Sequence, residues 1–301
     1  ALEGSGDGVW DWDVQTDEAV FSKRWEEIYG YDENEIENRI EEWKKRIHPE
    51  DFSRVMADLQ AYFDGNKPTF VNEHRVLCKK GDWKWALARG MLVSRTQDNQ
   101  PLRMIGTHTD ITERKLAEQT IWQQANFDSL TDLPNRQMFH DRLDQDLKKA
   151  HRSGLPLALM FLDLDRFKEV NDTLGHDMGD IMLQETARRI SSCVRETDTV
   201  ARLGGDEFTV ILSELDEPGS VDRVGQSILH KLTDPFKLGE EMVYVSASIG
   251  ITLYPEDATE IEALIKNADQ AMFAAKSLGR NRYSYFTPSM QKAAQTRMQI
   301  A

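Results

Sequence analysis

At 301 residues the chain is long enough for two ordinary domains, and 40% hydrophobic with 30% charged residues is a globular balance, not a disordered one. The formal net charge of −15 argues against a nucleic-acid surface, because so acidic a protein repels a phosphate backbone. It leaves room for a nucleotide held through a metal, since the cation reverses the local field. Two widely separated cysteines, Cys78 and Cys193, argue against a disulfide framework and against structural zinc.

The longest apolar run, residues 155–162, is interrupted by Pro156 and is too short to cross a bilayer. With no signal peptide, a cytoplasmic protein is expected. The chain begins without methionine, so membrane spans upstream in a longer parent protein stay open.

Residues 8–14 alternate apolar and polar side chains, the pattern of a half-buried strand. Short helical patterns follow, one over 22–30 that stops on Gly30 and one over 41–47 that runs into His48-Pro49. Residues 70–77 and 83–93 alternate on either side of a Lys79–Asp82 turn, as in an antiparallel hairpin, and 102–109 adds one more strand. The tryptophans of this part are read as core packing. Strands, small helices and a three-strand meander, with HPED (48–51), KKGDWKW (79–85) and DITERK (110–115), resemble a PAS sensor domain with a trailing PAC motif, placed at 1–112. His48, His74 and His108 are each read as structural or surface residues before haem ligands. Cys78 falls on a predicted strand, and the helical cysteine motif of flavin photoreceptors is absent. The sensor's ligand is unknown.

Residues 113–127 are polar and lack Gly and Pro, with Leu116, Ala117, Ile121, Trp122 and Ala125 as apolar markers. A continuous helix follows, whose spacing suits a short two-chain coiled coil and a simple linker equally.

In the second unit, 128–287, helices are predicted over 138–150, 178–194, 221–232 and 261–277. Strands are predicted over 155–164, 200–203, 208–212 and 244–253. This is an α/β arrangement with an antiparallel-rich sheet. Asp163 and Asp165 stand two apart at the exit of a buried strand, so both can face one side. The hairpin RLGGDEFTVIL (202–212) carries Asp206 and Glu207 directly after Gly204-Gly205. Asp163 with Asp206 makes a candidate magnesium pair, because Mg²⁺ takes a few carboxylates plus substrate phosphates.

GGDEF (204–208), FLDLDRFKEVND (161–172), DSLTDLPNR (128–136), GHDMGD (175–180) and ADQAMFAAKSLGRNRY (268–283) together resemble the GGDEF family of diguanylate cyclases. The resemblance implies an α+β chain: a PAS fold, an antiparallel sheet with short helices, joined by a helix to a palm-like nucleotide-cyclase domain. It implies condensation of two GTP into cyclic di-GMP with release of two pyrophosphates, each subunit of a homodimer holding one GTP. Asp163, the Leu164 carbonyl, Asp206 and Glu207 would bind two Mg²⁺ per GTP, with Mn²⁺ as an alternative. Gly204 and Gly205 would let the nucleotide lie against the hairpin, and Glu207 would coordinate metal or assist deprotonation of the 3′-hydroxyl. Asn171 and Asp180 would read guanine. Phe167, Lys168, His176, Lys276 and Arg280 match further substrate contacts.

Arg195-Glu196-Thr197-Asp198, an R-x-x-D upstream of Gly204, matches the family's inhibitory product site, with Arg152 as a third member. The tail, 288–301, is expected to be a polar helix of the kind that leads to a phosphodiesterase-like EAL domain in tandem proteins. The rival reading is a non-catalytic receptor for GTP or cyclic di-GMP that regulates such a downstream domain.

Overall fold

Alternation in GVWDWD turns every second side chain inward and makes β1 (Gly8–Asp13), the first strand of a computed structural model that describes residues 6–217 and 219–291. The chain divides between Ile121 and Trp122 into two units. In the first, β2 (Ala19–Phe21) precedes α1 (Lys23–Ile28), whose capping Ser22 side chain accepts from the Trp25 amide. Then come α2 (Glu41–Lys44), α3 (Pro49–Phe63), β3 (Phe70–Leu77), β4 (Trp83–Arg95) and β5 (Pro101–Asp110). Among the described residues the strands form one antiparallel sheet in the order β2-β1-β5-β4-β3.

Helix α3 was not expected from the sequence. Pro49 stands at its first turn, where a missing N–H costs nothing, and so starts a helix instead of only ending one. Acidic Glu50 and Asp51 suit that end, and Val55 and Leu59 bury one face. Arg75 on β3 ties the helix down, its Nε donating to Asp51 Oδ2 at 2.9 Å and its backbone N at 3.0 Å.

Trp10, Trp12, Trp25 and Trp43 are buried as expected, while Trp83 is exposed. The ring of Trp10 lies across the paired glycines Gly90 and Gly106; a Cβ on Gly106 would stand 2.2 Å from Trp10 Cζ2. Cys78 lies one residue past β3, at the start of the turn.

Helix α4 (Thr112–Asn126) follows, anchored at its start by Arg114 and Lys115 on Glu73. None of its residues is buried, and Leu116, Ile121 and Trp122 are exposed.

The second unit runs α5 (Arg136–Ser153), β6 (Leu157–Asp165), α6 (Phe167–Leu174), α7 (His176–Ser191), β7 (Thr199–Gly204) and β8 (Glu207–Leu212). It continues with α8 (Ser220–Thr233), β9 (Phe236–Leu238), β10 (Glu241–Val243), β11 (Ser246–Tyr254), α9 (Ile261–Ser277) and β12 (Arg282–Tyr285). The main sheet has the order β12-β11-β6-β8-β7, antiparallel except for β11 with β12. The β9–β10 hairpin and β12, three or four residues per strand, were too short to read from pattern.

Strand β6 is buried on both faces. Leu157, Leu159 and Phe161 pack with Phe139 and Leu143 of α5 and Leu264 and Ala268 of α9. Met160, Leu162 and Leu164 pack with Met182 and Leu183 of α7 and Ile228 and Leu232 of α8. Gly250 of β11 lets α9 sit directly on the sheet, since a Cβ there would come within 2.0 Å of the Ala268 carbonyl oxygen. Of the expected tail helix, everything past Gln291 lies outside the described residues.

Candidate active site

Asp163 pairs in register with Glu207 of β8 and Ser248 of β11. Directly opposed residues of antiparallel strands project to one face, so Asp163 and Glu207 share the face that carries α9. From the last turn of α9, Lys276 Nζ reaches Asp163 Oδ2 at 2.8 Å. Burial raises the Asp163 carboxyl above the ordinary carboxylate range; the Lys276 bond opposes this, and the negative charges of Asp206 and Asp165 add to it. Asp163 and Asp206 therefore sit within each other's field.

Asp165 has a different task. It is 4% exposed and accepts from Ser246 Oγ at 2.5 Å, Ser248 Oγ at 2.8 Å and the Asn281 amide at 3.2 Å, with Arg280 Nε at 3.8 Å. Its lone pairs are spent on holding β11 and the loop that carries Arg280. Of the two β6 carboxylates, Asp163 is the one free to meet a cation.

The turn that carries Asp206 has Gly204 at φ 144° and Gly205 at φ 52°, conformations that suit residues without a Cβ, and nothing stands within 4 Å of where either Cβ would be. Arg202 clamps this turn. Its Nε and Nη2 donate to the Gly205 carbonyl at 3.0 and 2.8 Å, while Nη1 donates to Asp128 at 2.8 Å. Asp128 and Arg202 open two of the quoted motifs, yet sequence reasoning gave them no role. Their pairing is long-range and only the fold reveals it.

Asn171 on α6 and Gly179 on α7 meet where the two helices pack. Asn171 Oδ1 is buried without a partner among the described residues, and a Cβ on Gly179 would stand 1.9 Å from it. Gly179→Ala is therefore expected to turn the Asn171 amide away; were Asn171 to read guanine, as the resemblance implies, GTP would bind about tenfold more weakly, the loss of one good hydrogen bond. Calorimetric titration with GTP checks this. Asp180 and His176 are exposed on the first turns of α7, Lys168 is exposed on α6, and the Phe167 side chain is buried in the core.

In the upstream R-x-x-D, Asp198 accepts from the Arg195 amide at 2.9 Å and from the Ser213 amide at 3.4 Å, so its carboxylate shapes the turn. Arg195 and Asp198 line two surface hollows, one with Arg223 and Ser213, the other with Arg142 and Glu196. Arg152, at the C-terminal end of α5, lines neither; Arg142 and Arg223 are the arginines the fold brings to this pair.

Among the described residues no group of three or more His, Cys, Asp and Glu gathers into a closed metal cage. Two mutually repelling carboxylates with a cationic ammonium on one of them suit a hard divalent ion that completes its shell with water and phosphate. No helix of the described residues is long and apolar enough to cross a membrane.

Residues 18–108 match the family model described as PAS fold, and residues 125–282 the one described as diguanylate cyclase, GGDEF domain. MucR of Pseudomonas aeruginosa, named a bifunctional diguanylate cyclase/cyclic di-GMP phosphodiesterase, is 45% identical over 184 residues, 61% of this chain and 27% of that protein. PdeR of Escherichia coli, named a cyclic di-GMP phosphodiesterase, is 37% identical over 206 residues, 68% of this chain and 31% of that protein. The chain thus spans under a third of the length of either relative. The solved GGDEF domain of TpbB from Pseudomonas aeruginosa superposes with a TM-score of 0.55 at 42% identity, covering 56% of this chain and 99% of that one. Since the second of the two matched models takes in residues 125–282, more than half the sequence, the chain belongs to the diguanylate cyclase GGDEF family, with a PAS fold ahead of that domain.

Proposed function

We propose that the protein is an active diguanylate cyclase that condenses two GTP into cyclic di-GMP and two pyrophosphates across a homodimer, under a PAS sensor and product inhibition. The observation that carries this reading is the register that sets Asp163 opposite Glu207, beside the Gly204-Gly205 turn that presents Asp206. Glu207, opposite Asp163, is the group that a receptor limited to binding could lose, and here it is kept together with both aspartates.

Asp163, Asp206, the Leu164 carbonyl and Glu207 would hold Mg²⁺, two per GTP, or Mn²⁺ in its place; when bound, the metal stabilises the attacking and departing oxygens. The side-chain-free turn lets the nucleotide lie against backbone. The Asn171 amide offers both a donor and an acceptor, and Asp180 accepts from the guanine N1–H and amine. Lys168, Lys276, Arg280 and the Phe167 amide would contact the phosphates, with His176 as a further substrate contact. Glu207, opposite Asp163, is the group to assist the 3′-hydroxyl proton or to join the metal.

The domain division that goes with this reading is a sensor at 1–112, a signalling helix at 113–127 and the cyclase at 128–287. A phosphodiesterase domain downstream in the parent protein is part of it.

Each protomer supplies half a site, so turnover with Mg²⁺ is expected to rise faster than linearly with protein concentration. GTP bound without turnover in a confirmed dimer would support the receptor reading, which the name of the relative PdeR keeps in view. Cyclic di-GMP is proposed to bind at Arg195 and Asp198, beside Arg142 or Arg223 in place of the expected Arg152, the arginine fork taking guanine O6 and N7. Arg195→Ala is expected to weaken product inhibition at least tenfold with the uninhibited rate unchanged; inhibition curves that superpose on wild type would remove the assignment.

A further inference from the structure

Helix α9 ends in a backbone that stopping a helix does not require. The Arg280 amide donates to the Ala275 carbonyl at 3.1 Å and the Gly279 amide to that of Lys276 at 3.4 Å, which closes the last turn. One residue of positive φ, here Gly279 at 114°, completes such a stop. Yet Arg280 at φ 61° and Asn281 at φ 48° are left-handed as well. Asparagine enters that region readily, whereas the Cβ of arginine crowds the following carbonyl. Backbone of this kind persists only where its surroundings hold it.

The hold is Asp165, which is buried at the end of β6. Its Oδ2 accepts from the Asn281 amide at 3.2 Å and from Ser246 Oγ; its Oδ1 accepts from Ser248 Oγ and stands 3.8 Å from Arg280 Nε. An ionised carboxylate can only accept, and these three hydrogen-bond partners all donate. On the other side of the loop, Arg282 Nε donates to the Arg280 carbonyl at 3.1 Å.

The contact with Asp165 also orients the Arg280 side chain. Nε is the nitrogen that faces the carboxylate, and the side chain is half-exposed, so its two terminal nitrogens point away from Asp165. They form the fork that takes two oxygens of a phosphate. Arg166, the residue after Asp165, is left-handed too, at φ 63°, and leads into the first turn of α6. Left-handed backbone thus collects around one buried carboxylate, as strain does at working sites.

We infer that Asp165 is a positioning residue for the substrate's phosphates: it fixes the left-handed backbone at Arg280 and Asn281 and so aims the Arg280 fork. The inference rests on the reading that Arg280 meets the phosphates of GTP.

The probe is the α,β-methylene analogue of GTP, which cannot release pyrophosphate, titrated with Mg²⁺ into the intact chain beside guanosine. Asp165→Asn keeps an oxygen for the Asn281 amide and removes the charge that faces Arg280. It is expected to weaken the analogue at least fivefold and to leave guanosine unchanged. Arg280→Gln should weaken the analogue at least as much, and the double variant no more than Arg280→Gln alone, because Asp165 acts through Arg280. Asn281→Val, a branched residue that resists left-handed backbone, is expected to lose at least fivefold, while Asn281→Gly keeps wild-type affinity. Additive losses in the double variant, an equal loss for guanosine, or equal affinities of the two Asn281 variants would each overturn the inference and leave Arg280 at the phosphates. Wild-type affinity in Arg280→Gln would instead remove the reading beneath it, and the inference with it. If Asp165→Asn does not fold, the two changes at the exposed Asn281 still decide the matter.

Discussion

Asp206→Ala is expected to slow conversion of GTP to cyclic di-GMP by about a thousandfold, on the scale of removing a group that stabilises transition-state charge. Asp206 stands half-exposed at the tip of a turn that Arg202 holds through backbone contacts, so alanine disturbs neither the hairpin register nor the core. The thermal midpoint of the variant should match wild type. The substitution also removes a negative charge that raises the Asp163 carboxyl, so Asp163 should titrate lower in the variant. Turnover with Mg²⁺ at a concentration where the protein is dimeric, alongside a thermal melt, checks both halves. A folded variant with an undiminished rate would show that Asp163 and Asp206 do not act as a pair.

Gly250→Ala is expected to destabilise the second unit by about 3 kcal/mol, at the upper end of overpacking costs. The added methyl would stand 2.0 Å from the Ala268 carbonyl oxygen and 2.1 Å from the Met272 amide nitrogen. Both are backbone atoms of α9, and no rotamer change can relieve the clash. The helix must lift from β11, and it carries Lys276 in its last turn. Loss of stability and loss of activity should therefore appear together. Urea unfolding reads the first, and an unchanged midpoint would mean that α9 does not rest on β11 as described.

Much of this architecture was legible in the residues. The helix over 261–277 and the paired strands around Gly204-Gly205 follow from periodicity and turn chemistry, and both stand where they were expected. Pro49 was misleading, because proline reads as a stop when it follows one helical pattern and as a start when it precedes another. The near-equivalence of Asp163 and Asp165 was also misleading. Strand alternation puts both on one face, but only the neighbouring strand reveals that Ser246 and Ser248 claim Asp165. Long-range partners such as Arg202 with Asp128, 74 residues apart, leave no local trace. The Arg142 and Arg223 walls of the two hollows are hidden from the sequence for the same reason.

Helix α4 buries none of its 15 residues. A peptide helix of that length is marginal in water, because propagation barely offsets nucleation. Without a packed face to hold it, the joint between the two units is a segment whose own folding is close to balance. Whatever lies along Leu116, Ile121 and Trp122 sets how much of it is helical, so a weak bias is enough to change its state. The connector is in this sense a poised thermodynamic element, whose helical content a small free-energy bias is enough to shift.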